Sequence, residues 1–133
     1  MSKKRQLILA LGTNHHRQEN MRLAQAHLHD LLRNIEFSSS ALTAAIGEFP
    51  GTYLNCVGRA TTSLMLCELQ TKFKAIEASC GDSREKREAG CIEMDIDILK
   101  YGEERLHEAD WDRAYIQRLL IELYSRWSNF YFF

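Results

Sequence analysis

Length, composition and charge limit the classes of protein to which this chain can belong. The sequence has 133 residues, of which 45% are hydrophobic, so we expect one domain with one core over residues 1–133. The 17 basic residues nearly balance the 18 acidic residues, which argues against a nucleic acid partner because no strong positive field is expected.

The cysteines and the apolar runs predict the compartment. The four cysteines include no C-x-x-C pair, which argues against a zinc site and a disulfide framework and predicts reduced thiols. The basic start precedes an apolar run too short for a secretory signal, and no segment approaches the length of a membrane span. We therefore expect a cytoplasmic protein with no membrane partner.

The first predicted elements are a strand and a helix. Residues 6–12, QLILALG, form an apolar run that is typical of a buried strand. Apolar residues then recur at helical spacing at Met21, Ala24, Leu28 and Leu31. This spacing predicts a helix that continues to about residue 33.

Two adjacent histidines, His15 and His16, lie between this strand and this helix in the segment NHHRQEN. Adjacent side chains are not expected to converge on one metal ion, and no nearby cysteine or third histidine completes a ligand set. We interpret the segment as a polar loop rather than as a metal site.

A strand pair and a second helix follow. Residues 35–45 and 52–62 are rich in β-forming residues and flank IGEFPG, whose Gly and Pro residues are typical of a loop between strands. The apolar stripe of the next helix consists of Leu66, Leu69, Phe73 and Ile76. We expect this helix to end near Gly81, because glycine commonly follows the last residue of a helix.

The segment 91–102, CIEMDIDILKYG, carries acids at alternate positions. In a strand, Glu93, Asp95 and Asp97 would point to one face, while Ile92 and the other apolar side chains would point to the opposite face. Like charges at this separation raise one another's pKa unless water or a cation screens them, and two such carboxylates can share Mg²⁺. The charged face is therefore either a solvated outer face or a metal site.

A third helix completes the predicted fold. Its apolar positions are Trp111, Tyr115, Ile116, Leu119, Leu120 and Leu123, and the aromatic tail SRWSNFYFF that follows has no predicted structure. The order βαββαβ with a further C-terminal helix predicts the α+β ferredoxin-like arrangement, a four-stranded antiparallel sheet with both helices on one face. The other face would remain available for a ligand. This fold serves several functions, so the site has to identify the activity.

Four motifs occur in the order and at the spacing of a known enzyme family. They are LALGTN at residues 9–14, TYLNC at residues 52–56, IE followed four residues later by Gly81, and MDIDILKYG at residues 94–102. Together they resemble 6-hydroxymethyl-7,8-dihydropterin pyrophosphokinase, a folate-pathway family, over residues 6–123. The resemblance implies a reaction in which the hydroxymethyl oxygen of the pterin attacks the β-phosphorus of ATP and AMP is released.

The resemblance also implies roles for individual residues. Asp95 and Asp97 match the metal-binding pair of the family, which would hold two Mg²⁺ ions with ATP, whereas Glu93 has no such role and would be solvated. The implied catalytic set is Asp95, Asp97, His107 and Arg84. The implied pterin site comprises Thr43, Ile46, Tyr53, Asn55 and Tyr115. The implied nucleotide site comprises Glu77, Arg84 and Arg113. The partners would be ATP and the hydroxymethyl dihydropterin, bound by a monomer or weak dimer.

Three positions depart from the family pattern. Asp82, Ala89 and Ile92 stand where the pattern has Arg, Trp and Arg, so Asp82 would repel a triphosphate rather than bind it. The alternative to a pyrophosphokinase is therefore a non-catalytic or altered-substrate member that keeps the fold and a ligand pocket. An RNA-binding module of the same fold is not favoured, because LNCVGRATT lacks the paired aromatic and basic residues of an RNP1 strand.

Overall fold

The structure, a computed structural model, describes residues 3–47 and 49–125. Its strands are β1 (Arg5–Thr13), β2 (Glu36–Phe37), β3 (Ala41–Ala44), β4 (Thr52–Thr62), β5 (Asp95–Tyr101) and β6 (Glu104–Arg105). Its helices are α1 (Arg17–Leu31), α2 (Leu66–Ser79), α3 (Arg84–Glu88), α4 (Glu108–Trp111) and α5 (Ala114–Ser125). These elements confirm the predicted α+β ferredoxin-like class with a C-terminal helix. No helix in the described ranges has both the length and the apolar character of a membrane span.

The sheet is antiparallel, and β1 lies at its centre between β4 and β5. Its order is β2-β4-β1-β5-β6, and β3 also pairs with β4. The prediction of four strands was wrong, because the run 35–45 divides into β2 and β3 and because β6 adds a short edge strand. The run divides at Ser38. The hydroxyl of Ser38 accepts a hydrogen bond from Val57 N of β4 at 3.0 Å, where a continuous strand would offer a backbone carbonyl.

One face of the sheet packs against α1 and α2, as predicted. Leu9 and Leu11 of β1 are buried there against Leu28 of α1 and Phe73 of α2. The helical spacing of the apolar residues in both helices places them on the side that faces the sheet. α2 ends at Ser79, and Gly81 follows with a positive φ of 95°, which is a backbone conformation that favours glycine.

The opposite face of the sheet is covered over part of its area, which corrects the expectation that this face stays available. A second core forms where Ile8, Val57 and Leu99 pack against α4 and α5. Trp111 anchors this core, because its indole Nε1 donates hydrogen bonds to Leu99 O at 3.2 Å and Leu106 O at 3.0 Å. The predicted single helix from Trp111 is two helices, since α4 ends at Trp111 and α5 begins at Ala114. The aromatic tail after Ser125 lies outside the described residues.

The acidic segment is only partly a strand, and the expectation of a solvated Glu93 was wrong. β5 begins at Asp95, so the alternation of faces does not extend back to Glu93. Glu93 is 2% exposed and accepts hydrogen bonds from Asn20 Nδ2 at 3.0 Å and Lys86 Nζ at 2.7 Å. Burial alone would raise the pKa of Glu93, but the bonds from Lys86 and His15 outweigh burial and lower this pKa to about 2.

We expect Glu93→Gln to lower the free energy of unfolding by about 1–3 kcal/mol. The change removes the negative charge that accepts hydrogen bonds from Asn20 and Lys86. Urea unfolding of the variant and the parent measures this difference. Glu85→Gln is the matched control, since Glu85 is exposed on α3. Equal unfolding midpoints for Glu93→Gln and the parent would contradict a structural role for this carboxylate.

Candidate active site

A cavity of about 290 Å³ opens on the uncovered part of the second sheet face. Ala10 and Gly12 of β1 form its floor, beyond the point where Ile8 enters the second core. Gly12 pairs with Asn55 of β4 on one side and with Asp95 of β5 on the other. A Cβ atom at position 12 would lie 2.9 Å from Asn55 Oδ1, so glycine is required for this close approach. The central strand β1 thus sets the distance between Asn55 on β4 and Asp95 on β5.

The residues that the resemblance assigned to the pterin lie together in this cavity. Thr43, Ile46, Tyr53, Asn55 and Tyr115 all line it. Asn55 is 6% exposed, and its Nδ2 donates a hydrogen bond to Thr43 Oγ1 at 2.6 Å, which fixes the orientation of the amide. Burial raises the pKa of both Tyr53 and Tyr115, so both rings are neutral phenols beside the cavity.

Asp95 and Asp97 line the same cavity from β5. Burial, followed by the charge of Asp95, raises the pKa of Asp97 to about 7. This shift indicates that the second negative charge is poorly compensated by the described protein groups. A pair of close carboxylates with an uncompensated charge is a donor set that suits a hard divalent cation such as Mg²⁺.

Two arginines bring positive charge to the cavity wall. Arg87 of α3 donates from Nε to Asp82 at 2.7 Å and from Nη1 to Asp95 at 3.2 Å. Arg113 pairs through Nη2 with Asp110 Oδ1 at 3.1 Å. The expectation that Asp82 repels a triphosphate needs correction, because its charge is paired with Arg87 within the protein. Asp82 therefore orients the Arg87 guanidinium at the cavity wall.

A second cavity of about 240 Å³ adjoins the first and also reaches Asp95 and Asp97. Glu77 and His107, which the resemblance assigned to the nucleotide site and the catalytic set, line it. Glu77 is 3% exposed and accepts a hydrogen bond through Oε2 from Ile96 N at 2.8 Å. Its other oxygen, Oε1, is buried without a hydrogen-bond partner among the described residues, but it lies 3.6 Å from both Lys74 Nζ and Arg87 Nη2. The carboxylate thus lies between these two cations at the wall of the second cavity.

Arg84 is the predicted site residue that the structure does not bring to either cavity. Its side chain is 92% exposed and pairs with Glu88 at 3.1 Å along the outer side of α3. The helix turns Arg87 inward instead, three residues later. Arg84 also appeared in the implied catalytic set, and in this structure it lines neither cavity.

Asp110 and Ile92 are among the residues of the cavity wall that the sequence-based site did not include. Asp110 of α4 lines the first cavity and pairs with Arg113, but a single acid in a charged segment gives no signal of this position. Ile92 was expected on the core face with Met94, yet it lines the cavity because the strand starts only at Asp95. The Asn14 side chain accepts a hydrogen bond from Ile92 N at 2.8 Å and so holds Ile92 at the cavity. Asn14 is the last residue of the LALGTN motif, which was therefore an indirect signal of this position.

The fold and this site define a small-molecule enzyme class: a ferredoxin-like sheet with a carboxylate pair beside a cavity lined by aromatic, amide and guanidinium groups. The comparison with protein-family models identifies the family. The model of the 7,8-dihydro-6-hydroxymethylpterin-pyrophosphokinase (HPPK) family matches residues 8–125, so the chain belongs to this family. The match supports pterin pyrophosphokinase function in folate synthesis at the level of the family. A search of curated proteins found no match.

We expect Asp97→Asn to raise the free energy of unfolding by about 1 kcal/mol in the presence of a chelator, because it removes one of two repelling carboxylates. Added Mg²⁺ should then raise the melting temperature of the parent more than that of the variant, since binding to the folded state stabilises it. Thermal melting with and without Mg²⁺ measures both effects. Asp112→Asn, an exposed acid nearby, is the control. A variant less stable than the parent in chelator would contradict the repulsion.

Proposed function

We propose that this chain transfers pyrophosphate from ATP to 6-hydroxymethyl-7,8-dihydropterin, with Mg²⁺ held by Asp95 and Asp97. The observation that carries this proposal is that one cavity joins the carboxylate pair to Tyr53 and Asn55. A phosphoryl-type transfer needs its two substrates in contact beside a centre that neutralises charge. The adjoining second cavity, which shares the two aspartates, offers room for the other substrate.

The pterin occupies the first cavity in this proposal. Tyr53 and Tyr115 supply aromatic surfaces, and Asn55 offers both a donor and an acceptor to the edge of the heterocycle. Thr43 orients the Asn55 amide through the bond from Nδ2. Ile46, which is 64% exposed, contributes apolar surface at the rim. This combination of aromatic side chains and one oriented amide suits a planar, polar ring.

The triphosphate lies beside Asp95 and Asp97, between the two cavities. Mg²⁺ at this pair would neutralise phosphate charge and polarise the oxygens of the transferred group. Arg87 and Arg113 face the same region and can donate to phosphate oxygens, and they replace Arg84 in this role. Glu77 and His107 border the second cavity, where they would contact the nucleotide.

The reaction then requires mainly positioning from the protein. The hydroxymethyl oxygen forms a bond with the β-phosphorus, the bond from this phosphorus to the oxygen bridging to the α-phosphate breaks, and AMP leaves. The hydroxyl proton is released as the new ester forms. The rigid β1, β4 and β5 strands hold the groups that align the two substrates, so little rearrangement of the sheet is needed.

The direct test is the release of AMP from a mixture of the full chain, Mg²⁺, ATP and 6-hydroxymethyl-7,8-dihydropterin. We expect release that requires both the pterin and Mg²⁺, and a loss of at least about 100-fold in Asp95→Asn and in Asp97→Asn. Asp112→Asn is the control for a change of charge outside the cavities. Release that continues at the same rate without the pterin would reveal a simple hydrolysis of ATP and would contradict the transfer.

A second candidate is a family member that binds the pterin but has lost catalysis or changed its substrate. The state of Arg87 favours it, because this cation already contacts Asp82 and Asp95 and lies 3.6 Å from Glu77 Oε1. A triphosphate would have to compete with these acids for the guanidinium. Saturable binding of the pterin together with no release of AMP would support this candidate over the enzyme.

We expect Asn55→Ala to weaken binding of the pterin by about 1–3 kcal/mol, roughly 5- to 150-fold, because it leaves a buried edge of the heterocycle without a partner. Titration calorimetry with the pterin measures the loss. Asn34→Ala is the matched control, since Asn34 is on the surface and bonds Thr61 away from the cavity. An unchanged affinity in Asn55→Ala would place the ligand elsewhere.

A further inference from the structure

Four potential metal ligands meet outside the two cavities, where the turn after β1 faces the segment before β5. They are His15, His16, Cys91 and Glu93. Ligand atoms of His15, Cys91 and Glu93 all lie within 4.8 Å of one another. Nδ1 of His15 is 2.8 Å from Glu93 Oε1, and Nδ1 of His16 is 3.4 Å from the same oxygen. None of the four lines either cavity of the candidate active site.

This cluster overturns the interpretation of NHHRQEN as a polar loop without a possible ligand set. His16 has a left-handed backbone conformation, with φ 46° and ψ 47°, and this conformation turns it toward the side of His15. The two imidazole rings consequently have centroids only 3.8 Å apart. Cys91 is distant in sequence but reaches the histidines because Asn14 joins the turn to Gly90 and Ile92 by hydrogen bonds.

We propose that His15, Cys91 and Glu93 bind one divalent ion of the zinc class. The mixture of imidazole, thiolate and carboxylate is a donor set that suits Zn²⁺ or Co²⁺ and does not suit Mg²⁺. Ligand atoms around a tetrahedral Zn²⁺ lie roughly 3–4 Å apart, given bonds of about 2.0–2.3 Å. The present separations therefore require only rotations of side chains, and the half-exposed His15 ring would exchange its bond to Glu93 Oε1 for a bond to the ion.

The protons and charges around such an ion can be followed. Binding replaces the thiol proton of Cys91, which goes to solvent, and it uses a neutral His15 whose ligating nitrogen carries a lone pair. The thiolate offsets one positive charge of the ion, and the carboxylate is shared between the ion and Lys86. Lys86 Nζ donates to the other oxygen of Glu93, Oε2, at 2.7 Å, so this lysine orients the carboxylate without occupying Oε1. Asn20 Nδ2 donates a hydrogen bond to Glu93 Oε1 at 3.0 Å.

The proposed ion would fasten one edge of the candidate active site. The segment that carries Cys91 and Glu93 also carries Ile92 in the cavity wall, and α3 just before it carries Arg87. An ion that joins this segment to the turn after β1 limits the movement of both residues. Its role is structural, and it is separate from the Mg²⁺ that Asp95 and Asp97 would hold.

The test is a titration of the full chain with Co²⁺, followed by absorption, in the presence of a reductant that does not bind metals. A thiolate ligand gives an intense charge-transfer band that carboxylates do not give, so the two sites are distinguished. We expect a one-to-one band in the parent and in the Asp95→Asn/Asp97→Asn double variant. Zn²⁺ should displace the Co²⁺ and remove the band. The band should disappear in Cys91→Ser and persist in Cys67→Ser, which alters an exposed cysteine on α2.

Further variants keep the test decisive if Cys91→Ser does not fold, which circular dichroism would reveal. His15→Gln should weaken Co²⁺ binding at least tenfold, whereas His29→Gln, at the far end of α1, should leave it unchanged. A parent without a thiolate band would overturn the proposal. A band that survives in folded Cys91→Ser, or equal Co²⁺ affinities in His15→Gln and the parent, would overturn it as well.

Discussion

The structure depends on the central strand β1, whose side chains change in size along one face. Ile8 fills the second core beneath α4 and α5, whereas Ala10 and Gly12 farther along the same face leave space. Backbone hydrogen bonds hold β4 and β5 to β1. These bonds fix the distance between the side chains that β4 and β5 present above this space. One strand thereby supplies both a buried anchor for the C-terminal helices and the floor of the cavity.

The charge around this floor is arranged in two separate groups of acids. Glu93 is neutralised by the protein itself, through Lys86, Asn20 and His15. Asp95 shares Arg87 with Asp82, and Asp97 beside it has a raised pKa. The charge of this pair is therefore only partly offset within the protein, which favours an external cation. The same short run of sequence thus contains one carboxylate held by several protein groups and a pair that is only partly compensated.

The sequence predicted those parts of the fold and site that follow from local periodicity. The stripe through Leu69 and Phe73 identified α2, and the alternation of acids placed Asp95 and Asp97 on one face of a strand, where both line the cavity. Periodicity could not identify where β5 begins, because CIEM alternates as well as DIDI does. The burial of Glu93 depends on contacts with Asn20 and Lys86, which are set by tertiary packing.

The same limit explains the arginines and the histidines. Arg84 and Arg87 are the same residue type on the same short helix. The direction in which α3 packs decides which of them reaches Asp95. His15 and His16 converge because of one left-handed residue, and a backbone conformation of this kind at a residue other than glycine has no reliable signal in a single sequence. Docking directions and unusual dihedral angles have to be observed.

The division of one predicted strand at Ser38 has a consequence for contacts between molecules. Long free edges of a sheet are templates on which another chain can add a strand, and proteins commonly shorten or interrupt them. Here the strands outside β4 are β2 and β3, of two and four residues. A second copy that docked edge to edge on either of these strands would gain only a few backbone hydrogen bonds. The serine that interrupts the ladder thus also makes this border of the sheet a poor template for strand addition.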